Sequence, residues 1–350
     1  MLHGLLAGGV AFAIAWKRAA STRADGTDTS PEEPASAILR DIFHYCLPLL
    51  GARAAFISGQ NLSRVVLGKF FPAEALGLFS FAFQTVERFV GLVYAVPSSI
   101  LPSLTQLVAR GETERMRRLL DKSFRLVATL ACGLSFMVFV FAEEITRLLG
   151  GERYLPAVAI LRVLALVPWV RTAHQPLTMG FYALRKTGTV LVLALLKFLT
   201  EMGSYFLLIP VLGLAGAAWA NLAGALVAFA GALVFMSGAL EDGGRHRRAV
   251  MGKSGALVAL GAVSALALHG VGLDWRILFA VKLLAFVPAF GLLVVLLDLV
   301  TRDDLARAQA VDIRVPWMSF LRDRVIRFGL WAEDSIGRLR PPTLATAEGH

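Results

Sequence analysis

Charge and sulfur are both scarce in this chain: 17% of its 350 residues are charged and two are cysteine. A soluble domain carries about 25% charged residues, so too little polar surface is present to coat a water-soluble globule of this size. The cysteines, Cys46 and Cys132, lie in separate apolar stretches with no CxxC spacing and no Cys/His cluster, which excludes a thiolate metal site and a dithiol redox motif. They read as small core residues. A phosphate-binding loop is lacking too. Gly252, Lys253 and Ser254 resemble the end of one, but Arg247 stands where its first glycine is required.

What is abundant is apolar. Hydrophobic residues make up 57% of the chain and the mean hydropathy is +0.66. A helix crossing about 30 Å of hydrocarbon needs roughly 20 apolar residues. About nine runs approach or exceed that length, near 2–16, 43–67, 76–108, 126–149, 156–184, 188–210, 213–240, 254–272 and 277–300. The expected fold is therefore an all-α polytopic membrane protein of about nine transmembrane helices. The first run has Lys17 and Arg18 after it, whereas a secretory signal places its positive charge ahead of the apolar core.

The net charge of +10 would suggest nucleic acid for a soluble protein; here it is a topology signal, and no nucleic-acid partner is expected. Alternating the loops between two sides sends most Lys and Arg to one of them, including Arg40, the cluster from Arg110 to Arg125, Arg185, Lys186, Arg245 to Lys253 and the tail arginines. The other side receives Lys69, Arg147, Arg153 and Arg276. The positive-inside rule then puts the N-terminus outside and the C-terminus in the cytoplasm.

The expected organisation is a transmembrane helix at 1–18, a polar cytoplasmic linker at 19–41, a six-helix unit at 42–240 and a basic cytoplasmic loop at 241–253. Two further transmembrane helices follow at 254–300 and a cytoplasmic tail at 301–350. In the tail, Trp317, Phe320, Leu321, Val325, Phe328 and Trp331 recur at helical spacing among arginines. Such an amphipathic helix can lie on the membrane lipids of the cytoplasmic leaflet or dock on the protein's own loops.

Ionisable side chains cost at least about 2.5 to 3.5 kcal/mol each at the centre of a membrane helix, so they need a partner or a wet cavity. Here they form stripes: Arg53, Gln60 and Arg64 on the second run; Gln84, Glu87 and Tyr94, with Arg88 adjacent, on the third; Arg171, His174, Gln175 and Thr178 on the fifth; Lys197, Glu201 and Ser204 on the sixth. One reading pairs the stripes with each other, as Lys197 and Glu201 could within their own helix, and gives them only a registering role. The other is a hydrated central cavity whose basic groups outnumber its acids, which suits an anionic substrate; the arginine fork suits phosphate. Lys282 and His269 lie near helix ends, where they snorkel or cap. Pro97, Pro102, Pro168, Pro176 and Pro288 interrupt helices and permit bends.

Four passages carry a family resemblance: LGLFSFAFQTVERF (76–89), VPSSILPSLTQLVARGETERMRRLL (96–120), LPAVAILRVLALVPWVRTAHQPLTMGFYALRKTG (155–188) and LLIPVLGLAGAAWANLAGALV (207–227). In the last, Pro210 and Gly213 mark a helix break, with Gly216, Ala217 and Ala218 packing behind it. Together these resemble the polysaccharide, O-antigen and lipid-linked oligosaccharide exporters of the MOP (MATE-like) flippase superfamily. The resemblance implies a MATE-like second lobe with most of the first lobe missing, so that the facing wall belongs to a longer chain or to a separate first-lobe chain. It implies the bacterial cytoplasmic (inner) membrane, no cofactor, no enzymatic activity, and transfer of an undecaprenyl-pyrophosphate-linked oligosaccharide across the bilayer. The cavity candidates are Arg53, Gln60, Arg64, Gln84, Glu87, Arg88, Arg171, His174, Gln175, Lys197 and Glu201. A membrane-embedded polysaccharide polymerase or ligase is a competing expectation, though the short external loops offer little beyond Glu143, Glu144, Glu152 and Asp274 for acid–base work. A drug or cation exporter of the same fold would favour acidic cavity residues over basic ones.

Overall fold

The computed structural model describes residues 35–241 and 244–269, together with Lys282. The chain divides into two units, Met1–His44 and Tyr45–His350. The described part of the first is the opening of helix α1, and every element from Tyr45 onward belongs to the second. The first apolar run, the linker up to residue 34, the run at 277–300 apart from Lys282, Pro288 and the amphipathic tail all lie outside the described residues.

Every regular element among the described residues is helical. We number them α1 (Ala35–Phe70), α2 (Ala73–Ser99), α3 (Leu101–Ala109), α4 (Thr113–Val140) and α5 (Ala142–Gly150). A 3₁₀ turn (Glu152–Ala157) leads into α6 (Val158–Leu164), α7 (Val167–Ala183), α8 (Thr187–Leu212), α9 (Leu214–Leu240) and α10 (Arg245–His269). Among the described residues, five segments are long and apolar enough to cross a membrane: Arg40–Phe70, Thr113–Val140, Glu152–Ala183, Thr187–Leu212 and Leu214–Leu240.

The boundaries follow local chemistry, with three differences from the apolar runs. The run at 76–108 is two helices, because Pro102, near the start of α3, has no N–H to continue the ladder and α2 ends after Pro97. The run at 126–149 starts earlier than apolarity suggested and stops at Phe141, which separates α4 from the short α5. The basic segment expected as a loop is helical from Arg245 onward, and within it Arg247 is buried and reaches across to Asp121 at 2.7 Å. Pro48, Pro176 and Pro210, by contrast, sit inside continuous helices.

The core is apolar and close-packed around α4, α7 and α9. Phe124 stacks on Phe229 with their ring centroids 6.2 Å apart, and Leu120 and Met236 close over Gly180. Outward, α8 presents Leu199, Phe206, Leu207 and Val211, all exposed. In water such a surface would be an aggregation liability; facing acyl chains it has no cost. Lys282 does not snorkel. It is buried, donates to the Val140 carbonyl at 3.3 Å, so capping α4, and pairs with buried Glu144 at 2.6 Å.

The hinge between α8 and α9 depends on glycine. Gly213 has φ +61° and ψ −138°, a conformation that side chains resist. At Gly216 an added Cβ would lie 2.2 Å from the Leu208 carbonyl oxygen. Backbone cannot swing away as a side-chain tip can, so Gly216→Ala should destabilise the protein by about 1–3 kcal/mol. A lowered thermal unfolding midpoint in lipid nanodiscs checks this; an unchanged midpoint would contradict the packing described.

Candidate functional site

The polar stripes meet in a cavity of about 650 Å³ walled by α1, α2, α7, α8 and α9. Arg53 and Gln60 come from α1, Glu87 and Gly91 from α2, Arg171, His174, Gln175 and Thr178 from α7, and Lys197 from α8. Apolar groups such as Leu49, Val90 and Leu193 fill the rest of the wall. A few convergent polar groups on a mostly apolar surface are the usual composition of a ligand site.

Two ion pairs organise it. Arg171 grips Glu87 with both arms of its guanidinium, at 2.5 and 2.7 Å, which ties α7 to α2 across 84 residues of sequence. Lys197 holds Glu201 at 2.6 Å one turn along α8, and Asn221 of α9 donates to the other carboxylate oxygen at 2.8 Å. Glu201 is only 1% exposed and lies behind the cavity wall. It fits there because Gly224 leaves room on α9: a Cβ at that position would come within 2.8 Å of the Glu201 side chain.

Phe56 sits between two cations, with the Arg53 guanidinium 5.6 Å and the Lys197 ammonium 5.9 Å from its ring centroid. At that range a ring face contributes about 0.5–2 kcal/mol to each cation. Arg53 is exposed, and no carboxylate pairs with it among the described residues. The hydroxyl of Thr178 lies 3.4 Å from His174 Nδ1, while His174 Nε2 is buried without a hydrogen-bond partner among the described residues. This is a basic pocket with one guanidinium that no carboxylate holds, two cations already holding carboxylates and one lining carboxylate.

Three of the candidates lie elsewhere, besides Glu201. Arg64 is exposed on α1, its guanidinium 5.9 Å over the Phe83 ring. Gln84 and Arg88 line a separate notch of about 320 Å³ on α2. Sequence reading missed Phe56 and Asn221. Asn221 was findable, as the lone amide in the apolar run of α9, where an amide needs a partner.

The class of protein these features define is a helical membrane protein with a basic, ligand-sized cavity. A family model for polysaccharide biosynthesis proteins matches residues 28–159. The chain is 21% identical over 221 residues to the probable low-salt glycan biosynthesis flippase Agl15 of Haloferax volcanii, covering 63% of this chain and 45% of that protein. It is 26% identical over 146 residues to the teichuronic acid biosynthesis protein TuaB of Bacillus subtilis, covering 39% of this chain and 28% of that one. The match thus spans less than half the length of either relative. These similarities bear out the resemblance to polysaccharide-synthesis flippases of the MOP type.

The Arg171–Glu87 pair generates a direct test. Arg171→Ala and Glu87→Ala should each destabilise the protein, and the double variant should fall short of their sum by about 1–3 kcal/mol. Unfolding midpoints of the four proteins in nanodiscs measure that coupling. Additive losses would show that the bidentate contact carries no energy.

Proposed function

We propose that the chain forms one wall of a pathway that carries an undecaprenyl-pyrophosphate-linked oligosaccharide across the cytoplasmic membrane, as the second lobe of a MATE-like flippase. The observation that carries the proposal is the cavity. It lies between apolar helices, and Arg53, Arg171 and Lys197 line it against the single lining carboxylate of Glu87. A diphosphate is the part of such a substrate that hydrocarbon excludes most strongly, and arginine binds two phosphate oxygens through its planar fork.

Arg53 is the first contact, because its guanidinium has no carboxylate to release. Arg171 and Lys197 join by exchanging Glu87 and Glu201 for phosphate oxygens. The isoprenoid tail stays in lipid. A cation exporter would need free carboxylates in the cavity, and Glu87 is held by Arg171 at both oxygens.

In this reading, two further apolar helices and the runs at 2–16 and 277–300 join the five long spans to give about nine crossings. The N-terminus is outside, the C-terminus is cytoplasmic, and a first lobe, in a longer chain or a separate one, supplies the facing wall. The names of the relatives, a probable glycan biosynthesis flippase and a teichuronic acid biosynthesis protein, support a glycan cargo.

A charged hydrogen bond contributes about 1.5–3 kcal/mol, so Arg53→Ala should weaken isoprenyl-diphosphate binding by roughly 10-fold to 100-fold. In cells that depend on the transporter, this variant should insert into the membrane normally and export no glycan. Normal export with Arg53→Ala would remove the proposed phosphate contact.

A further inference from the structure

We infer that the notch on α2 beside the cavity is a sugar subsite, which takes one hexose unit of the glycan; the inference rests on the flippase reading. It is lined by Ser80, Phe81, Gln84 and Arg88 of α2 together with Tyr154 of the 3₁₀ turn. The two rings lie 4.6 Å apart, tilted by 36°. They meet because residue 150 is glycine: a Cβ there would stand 3.0 Å from the Phe81 ring and 2.9 Å from Tyr154 Cβ.

The chemistry of the wall selects among ligands. A pyranose has a face of C–H groups and a rim of hydroxyls that both donate and accept. Aromatic rings match the face. The Gln84 amide and the Ser80 hydroxyl each donate and accept, while Arg88 donates only, to hydroxyls or to a uronic carboxylate. Gln84 and Arg88 are exposed, and no hydrogen-bonding partner holds either among the described residues. Thr85, by contrast, spends its hydroxyl on the Phe81 carbonyl at 2.8 Å. A free anion could accept from Arg88 and from the Gln84 amide but would gain nothing from the two rings, and a purely apolar ligand would leave the amide and guanidinium unmet.

Placement fits the same substrate. The notch and the cavity are neighbours along one helix, the notch ending at Arg88 and the cavity beginning at Glu87 and reaching Gly91. At about 1.5 Å rise per residue, Gln84 lies roughly 10 Å along the axis from Gly91. Sugars attached to a diphosphate in the cavity can bridge that distance. The substrate would then lie along α2, its phosphate end held by Arg53 of α1 and its glycan end beside Gln84.

The experiment is saturation-transfer NMR on the full chain in nanodiscs, which carry no sugar-headed detergent, with methyl glucoside and glucuronate as probes. The expected result is transfer to the ring protons of at least one sugar, with millimolar affinity, reduced at least tenfold by Tyr154→Leu and by Gln84→Leu. The exposed Gln84 keeps the test valid if the Tyr154 variant fails to fold. No transfer from either sugar, or transfer unchanged by Gln84→Leu, would overturn the assignment. So would displacement of the sugar by an equal concentration of inorganic phosphate, which would make the notch an anion site. Glycan-free isoprenyl diphosphate, offered to the same preparation, tests the cavity separately: sugar binding without diphosphate binding would retain the subsite and remove the flippase reading.

Discussion

A guanidinium in hydrocarbon has no water to bond with and is too basic to shed its proton, so it must find a carboxylate or remain beside water. Much of this structure follows from that constraint. Arg171 finds Glu87, Lys197 finds Glu201, Arg247 finds Asp121 and Lys282 finds Glu144, each across or along helices that apolar packing alone would leave free to slide. The Arg171–Glu87 and Arg247–Asp121 pairs, which join different helices, therefore help set register as well as neutralise charge. Breaking one is costly because it strands a buried ion, although an apolar replacement of both partners would be nearly neutral. Two of the four, Arg171–Glu87 and Lys197–Glu201, lie at the cavity.

Among the cations lining the cavity, Arg53 is the one with no carboxylate beside it among the described residues. It has a ring beneath it, so it depends on water or a ligand to complete its hydrogen bonds. Phe56 steadies both this guanidinium and the Lys197 ammonium without neutralising either. Two paired cations with one unpaired cation can accept an anion stepwise, beginning where no existing contact must break.

The helical class, the long spans and the polar stripes were legible in the sequence because lipid permits so few solutions: backbone bonds must close within a helix, and charged residues must share a face. Spacing placed Arg53 with Gln60, and Arg171 with Gln175, on single faces, and these four do line one cavity. Rotation about the helix axis was less legible. Gln84 and Glu87 share a face, yet a small angular difference sends one into the notch and the other into the cavity. Glu201 was read as facing the cavity because its helix face is polar, whereas the close approach of α9 at Gly224 draws it behind the wall. The break at Phe141 and the buried role of Arg247 depend on partners far away in sequence, which periodicity does not encode.

The central claim is that Arg53, Gln60, Arg171 and Gln175 line a water-filled cavity while the outer face of α8 meets lipid. Single cysteines placed at Gln175 and at Leu199, in a background with Cys46 and Cys132 replaced by serine, test it through reaction with a small hydrophilic thiol reagent in intact membranes. The account predicts rapid labelling at 175 and almost none at 199, although Leu199 is the more exposed in the protein alone (64% accessible). Equal labelling at both positions, or protection at 175, would contradict it.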